Sequence, residues 1–263
     1  MEFIDTHAHI DGEEFDLDRN EMILRARQAG AKSILVPAIN LASLKSLRNV
    51  VNQYNGFAYA MIGLHPEDVR DDWRDILAEM RNIQASSPDE FIAIGEVGLD
   101  FYWSREFEHE QIEAFREQVE WAIDTKRPLM IHCRKAQNEM VALLNDYRDQ
   151  LHGGVFHCFT GNAREAEQLL QFPNFMLGIG GVLTFKNSPL AEMLPTVVPL
   201  SRIVLETDAP YMAPVPMRGK RNESAYLRYV LKRLAEAYGM REEKVSDIIF
   251  ENTIRIFHLY SRL

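Results

Sequence analysis

The chain has 263 residues, 46% of them hydrophobic, and a formal net charge of −10. This composition is typical of a globular protein, and no run of about 18 uninterrupted apolar residues is available to span a bilayer. The acidic excess disfavours nonspecific attraction of the whole surface to nucleic acid, although local cations or bound divalent ions can still receive phosphate.

Short apolar runs alternate with helical segments along the chain. Met22, Ile23 and Ala26, for example, fall on one side of a helix that Gly30 should end. The strand-like runs lie at about residues 3–10, 33–39, 58–65, 91–99, 128–133, 153–159, 175–181 and 203–210. This alternation implies parallel strands joined by right-handed crossovers, and eight such units close into a barrel. We therefore predict an α/β fold, a (β/α)8 TIM barrel formed by residues 1–263 as a single domain.

The two ends of the chain carry further predictions. The first strand begins at Phe3, which leaves no room for a basic, apolar and cleavable signal sequence, so we expect a cytoplasmic location. After the eighth run, the polar loop PVPMRGKRNES leads into a helical tail from about Ser224. The barrel should therefore carry a C-terminal helical extension.

Polar residues with metal-binding chemistry recur at the ends of the predicted strands. His7 and His9 lie two residues apart in FIDTHAHI, so their side chains should point to the same face of the first strand. A pair of ordinary surface or core histidines is the alternative for that spacing alone. Further candidates lie at or near the ends of other runs: Glu96, His132, His157 and Asp208. Such regular placement is not expected of a solvated surface.

The barrel prediction brings these six residues together. Barrel enzymes build their sites at the C-terminal rim, where the strand ends converge. Four histidines and two carboxylates exceed the needs of one tetrahedral ion and suit two divalent ions bridged by a carboxylate, for which Glu96 is the natural choice. Zinc, magnesium and manganese all remain possible as the metal.

Several motifs in a fixed order resemble the TatD family of metal-dependent deoxyribonucleases, within the amidohydrolase-like group of metallo-barrels. The motifs are DTHAHID, GLHPE, IGEVGLDFY, PLMIHCRKA, FHCFTG, ETDAPY, RGKRNES and ENTIRIF. The resemblance implies one ion held by His7, His9 and Asp208, a second held by His132 and His157, and Glu96 shared between them. It also implies DNA as the substrate and an exonuclease type of cleavage.

Two positions depart from the family pattern. Members often carry histidine where this chain has Glu67, and proline where it has Ser224. Neither position is a proposed metal ligand. Glu67 adds a negative charge near the mouth of the site, which bears on phosphate binding and substrate preference.

The expected chemistry is hydrolysis by metal-activated water, with Asp208 as the general base and Glu96 as the second catalytic residue. Glu206 lies deeper on the same strand face, where a structural role is expected. The candidate substrate contacts are His65, Arg134, Arg218 and Arg221. Arginines in such loops can instead be merely solvated.

The same residues also suit a second class of enzyme. An amidohydrolase or ester hydrolase acting on a small amide, lactone or aminoacyl ester is the alternative, because the same rim can polarise a carbonyl. A binding protein with a degenerate site is disfavoured by the intact ligand set. No feature indicates an obligate protein partner, so we expect a monomer. Cys133 and Cys158 should face the covering helices as reduced thiols rather than bind metal.

Overall fold

The computed structural model describes residues 1–262, in which eight parallel strands pair in sequence order. The strands are β1 Phe3–Asp5, β2 Ala31–Pro37, β3 Ala58–Ile62, β4 Phe91–Asp100, β5 Leu129–Arg134, β6 Gly154–Phe156, β7 Phe175–Ile179 and β8 Ile203–Leu205. The pairing between β8 and β1 is short. It includes a parallel bridge between Ala8 and Ala209 and a hydrogen bond of 3.0 Å from the Thr6 amide to the Leu205 carbonyl. The barrel is therefore nearly closed, and the predicted fold class is confirmed.

Helices separate the strands and cover the outside of the barrel. They are α1 Arg19–Ala29, α2 Ser43–Gln53, α3 Trp73–Ser86, α4 Glu108–Thr125, α5 Gln137–Asp146, α6 Ala163–Leu170, α7 Leu190–Val197, α8 Leu227–Tyr238 and α9 Glu242–Phe257. Helix α1 ends at Gly30, whose φ of 106° is available to glycine without steric cost. Helix α9 is the predicted C-terminal extension. No helix within residues 1–262 is long and apolar enough to cross a membrane.

Strand alternation divides the apolar side chains into two layers. In β2, Ile34 and Val36 pack outward with the helices, whereas Leu35 belongs to the inner core of the barrel. The end of α9 and the turn after it contribute Phe257 and Leu259 to that inner core. Apolar side chains and α9 thus fill one part of the barrel, and polar side chains gather where the strands end.

Three of the five strands associated with candidate ligands, β1, β6 and β8, are shorter than predicted. Because β1, β6 and β8 end early, four candidates lie just beyond the strands, where single backbone hydrogen bonds still link them to neighbouring segments: His7, His9, His157 and Asp208. The backbone turns there, with a positive φ of 51° at Cys158 and 54° at Asp208. An apolar run does not mark where pairing stops, since extended residues after a strand show the same pattern.

Candidate metal centre

Glu96 lies at the centre of the polar cluster, and its two carboxylate oxygens face different histidines. Oε2 is 3.1 Å from His7 Nε2 and 3.5 Å from His9 Nε2. Oε1 is 2.9 Å from His157 Nε2 and 3.0 Å from His132 Nδ1. The pairing of β4 shifts register between Ile94 and Val97, an irregularity of the kind that re-aims a strand side chain. Glu96 therefore divides the cluster into two groups of ring nitrogens.

Asp208 joins the group that contains His7 and His9. Its Oδ1 is 3.8 Å from His7 Nε2 and 3.7 Å from His9 Nε2. The Asp208 amide donates to the His7 carbonyl at 2.9 Å, so the backbone after β8 is fixed against the backbone after β1. Residues at opposite ends of the sequence thereby present their side chains to one point.

The cluster fits divalent cations. His7 Nε2 and His9 Nε2 are 3.2 Å apart, and His132 Nδ1 and His157 Nε2 are 3.3 Å apart. Two ligands held at about 2.0–2.1 Å on a tetrahedral ion lie about 3.3–3.4 Å from each other. Burial lowers the pKa of His7 to about 3 and also lowers the pKa of His9, so both rings are neutral and offer lone pairs.

The carboxylates also require positive charge nearby. Burial alone would raise the pKa of Glu96, but the surrounding imidazoles, His7 first, hold it well below its ordinary value. Burial raises the pKa of Asp208 to about 7, and the neighbouring Glu96 and Glu206 act in the same direction against His157. Glu96 therefore stays ionised, while Asp208 is partly protonated near neutral pH unless a cation lies close to it.

The structure adds Asp100, which the sequence analysis missed. His132 Nε2 donates to Asp100 Oδ2 at 2.8 Å, and the buried carboxylate also accepts from the Tyr102 amide at 2.9 Å. This bond leaves the lone pair of His132 on Nδ1, the atom that faces Glu96. The spacing could have indicated Asp100 as a site residue, because it lies four residues after Glu96 on the same face of β4.

Glu206 and Cys158 lie behind His157. The Cys158 amide donates to Oε1 of the buried Glu206, and this oxygen lies 3.6 Å from His157 Nδ1, beyond hydrogen-bond distance. Cys158 Sγ lies 3.8 Å from Met212 Sδ, near the site and not toward the helices. That prediction is wrong because β6 ends at Phe156, where strand alternation stops. Cys133 packs in the outer layer as predicted, and both thiols are free.

His65 lies within the cluster. Its Nδ1 accepts from the Glu67 amide at 3.1 Å, and its Nε2 is 3.3 Å from Glu96 Oε1. When Nδ1 accepts a hydrogen bond, the proton of the neutral ring is on Nε2, which then donates to Glu96. His65 thus has the geometry of a donor to the central carboxylate.

The three predicted rim arginines have different surroundings. The Arg134 guanidinium lies 3.6 Å from the Tyr102 ring centre, and that of Arg218 lies 4.0 Å from the Phe185 ring centre. Arg221 instead binds the carboxylate of Asp18 with two hydrogen bonds of 2.7 and 2.8 Å. This pairing anchors the loop after β8 to the start of α1, so Arg221 does not offer a free charge to phosphate, contrary to expectation.

A second buried carboxylate, Asp5, lies close to the cluster but has different partners. Its oxygens accept from the Thr207 hydroxyl and the Ser224 hydroxyl, each at 2.6 Å, and from the Thr207 amide at 2.9 Å. Ser224 occupies one of the two positions that depart from the family pattern. A proline could not donate this side-chain hydrogen bond.

The chain matches a known family model and relatives along nearly its whole length. The model described as TatD related DNase matches residues 4–258. A Bacillus subtilis protein described as an uncharacterised metal-dependent hydrolase, YabD, is 36% identical over 255 residues, which cover 97% of this chain and 98% of that protein. A 3'-5' ssDNA/RNA exonuclease TatD of Pectobacterium carotovorum is 33% identical over 261 residues, covering 97% and 99%.

A solved structure shows the same architecture. The crystal structure of YjjV, a TatD homologue from Escherichia coli, superposes with a TM-score of 0.88 at 28% sequence identity. The match covers 97% of this chain and 98% of that one. The likeness therefore includes the barrel, the rim and the C-terminal helices.

Proposed function

Because the chain belongs to the TatD-related DNase family and is a metal-dependent hydrolase of ester bonds, we propose that it hydrolyses phosphodiester bonds in single-stranded DNA. The observation that carries this proposal is the position of Glu96, with one oxygen toward His7 and His9 and the other toward His132 and His157. This arrangement suits two divalent ions, which together can receive a phosphate group. The name of the Pectobacterium relative supports cleavage from the 3' end.

The proposed ligand sets follow the two sides of Glu96. His7, His9 and Asp208 would hold one ion, His132 and His157 would hold the other, and Glu96 would bridge them. All six side chains come from one chain. We therefore propose that the centre is complete in a monomer and needs no partner subunit.

The chain's own residues supply proton transfer and orientation. A divalent ion bound here would lower the pKa of a water molecule toward about 7 and stabilise negative charge on phosphate oxygens. Asp208, whose buried carboxylate faces this centre, accepts the proton of the attacking water. Asp100 keeps the His132 ring in one orientation, and His65 donates to Glu96.

A substrate panel tests the proposal directly. Metal-stripped protein is restored with Mg²⁺, Mn²⁺ or Zn²⁺ separately and assayed on single-stranded oligonucleotides labelled at either end, and on small amides, lactones and aminoacyl esters. We expect cleavage of oligonucleotides that shortens them from the 3' end. Turnover confined to the amides or esters would replace this proposal with the amidohydrolase alternative.

Metal analysis of the restored protein tests the two-ion arrangement separately. We expect the metal content of saturated protein to approach two ions per chain, because the donors exceed what one tetrahedral ion uses. A content that never rises above one ion per chain would contradict the dinuclear centre.

A further inference from the structure

Two exposed aromatic side chains follow β4 directly beside the metal centre. Tyr102 is 47% exposed and Trp103 is 70% exposed. Asp100 connects them to the site, because it accepts from the Tyr102 amide at 2.9 Å and from His132 Nε2 at 2.8 Å. Large aromatic surface left in water contributes nothing to the core, and beside a polar site it is typical of ligand contact.

Arg134 completes this group. Asp100 in β4 pairs with Arg134 in β5, and the Phe101 amide donates to the Arg134 carbonyl at 2.9 Å. The Arg134 guanidinium lies 3.6 Å from the centre of the Tyr102 ring and 5.3 Å from that of Trp103. A guanidinium that lies over a ring at this distance can still use its N–H groups to bind an anion.

Arg134 forms no direct ion pair in the described part of the chain, although its charge is near enough to help lower the pKa of Asp100. No carboxylate oxygen within residues 1–262 lies within 4.0 Å of its guanidinium nitrogens. Nearby Arg105 is different, since it lies over Phe101 but also reaches Glu108 at 3.2 Å. Arg134 is therefore available to an anion, whereas Arg105 has a partner in the fold.

We propose that Tyr102, Trp103 and Arg134 form a stacking platform that holds one unpaired nucleobase of the substrate. The base stacks on the exposed ring of Trp103, which meets Tyr102 edge to face with ring centres 4.7 Å apart. The Arg134 N–H edge binds a neighbouring phosphate. This inference rests on the proposed function and gives it a physical basis, because a base within a duplex is already stacked and paired and cannot lie on the platform.

The tryptophan content of the chain provides a direct binding assay. Trp73 and Trp121 are each 2% exposed, so Trp103 is the one of the three tryptophans that a ligand can reach. We expect the emission of Mn²⁺-loaded protein to fall when a short phosphorothioate oligothymidylate is added, since its modified linkages resist hydrolysis during the titration. An abasic oligomer with the same number of phosphates should bind more weakly and leave the emission nearly unchanged.

Substitution of Trp103 separates base stacking from phosphate binding. In the parent protein we expect oligothymidylate to bind at least about fivefold more tightly than the abasic oligomer, the lower limit of what one stacked base contributes. In Trp103→Ala, the ratio of the two affinities should fall toward one. Competition against a labelled oligomer measures both affinities in this variant. Trp103→Phe should restore most of the ratio. Tyr260→Ala removes an aromatic ring of similar exposure, 68%, in the turn after α9, and should leave the ratio unchanged.

The outcomes distinguish the platform from the proposed function. If the parent hydrolyses oligothymidylate but binds base-bearing and abasic oligomers equally, the platform is overturned and the proposed function stands. The same conclusion follows if Trp103→Ala keeps the parent ratio. If the parent neither binds nor hydrolyses any oligonucleotide, both inferences fall, and the exposed aromatic pair belongs to another partner.

Discussion

Two buried carboxylates near the rim of the barrel, Asp5 and Glu96, have opposite surroundings. Asp5 is surrounded by neutral donors, two hydroxyls and backbone amides, and burial raises its pKa to about 6. Glu96 faces imidazole nitrogens from five histidines, and its pKa lies well below the ordinary value. The hydrogen bonds of Asp5 come from donors within the fold, whereas Glu96 faces ring nitrogens of which His65 Nε2 is a donor and His132 Nδ1 carries a lone pair when the ring is neutral.

The difference shows how a structural polar network can be told from a metal centre. Hydroxyl and amide donors satisfy Asp5 without any further charge. Around Glu96, histidine nitrogens point toward the carboxylate and toward each other, and wherever two facing nitrogens both carry lone pairs, a proton or a cation is needed between them. The pattern of donors, more than burial or residue type, identifies the site.

The largest effect on turnover should follow from replacing Asp208, the proposed general base beside Glu96. Asp208→Asn keeps an oxygen of similar shape but cannot accept the proton of the attacking water. We expect turnover of oligonucleotides to fall at least about a hundredfold, with metal content and melting temperature in saturating metal close to those of the parent. Near-normal turnover with full metal sites would assign the proton transfer to another group, such as Glu96.

The next test concerns the carboxylate that holds His132. Asp100→Asn weakens the bond at 2.8 Å to His132 Nε2 and should reduce metal affinity or turnover about 10- to 100-fold. Metal titration monitored by calorimetry measures the first quantity. The control is Asp124→Asn, which changes a carboxylate paired with Arg81 at 3.2 Å on the helices. Equal metal affinity in both variants would mean that Asp100 does not position His132.

Removal of a hydrogen bond to Asp5 should change the stability of the protein and leave its metal binding unchanged. Ser224→Ala removes the hydroxyl that donates to Asp5 at 2.6 Å. Because the buried carboxylate then lacks one of its donors, the free energy of unfolding should fall by about 1–3 kcal/mol. Urea denaturation measures this change. Ser246→Ala is the matched control, because it removes a buried hydroxyl that donates to the Glu2 carbonyl, away from both carboxylates. A loss of metal content in Ser224→Ala would show that the two carboxylate regions are not separate.

The smallest effect is expected on oligonucleotide binding, in a comparison of Arg134, which has no ion pair, with Arg221, which binds Asp18. Arg134→Ala should raise the KM for oligonucleotides and reduce the slope of log affinity against log salt by about 0.7, the contribution of one phosphate contact in a single strand. Arg221→Ala should leave that slope unchanged, because its guanidinium already binds Asp18. Equal slopes in the two variants would contradict the distinction.

Much of the site could be predicted because it depends on where strands end. In a barrel of parallel strands the carboxyl ends converge whatever the details of packing, so residues such as His132 and Glu96 meet once the strand order is known. The prediction placed them at one rim, and the structure brings them within 3.0 Å. Motif order along the chain was sufficient for the family, which the match over residues 4–258 confirms.

The amino-acid sequence thus determined the fold class, the C-terminal extension and the rim that gathers the polar residues, because periodicity and chain order are local properties. The tertiary structure alone decided which oxygen of Glu96 faces which histidine, that Asp100 supports His132, and that Cys158 lies by the site. These features depend on how the backbone turns after each strand. The pairing of Arg221 with Asp18 joins positions 203 residues apart, and no local pattern predicts such a contact.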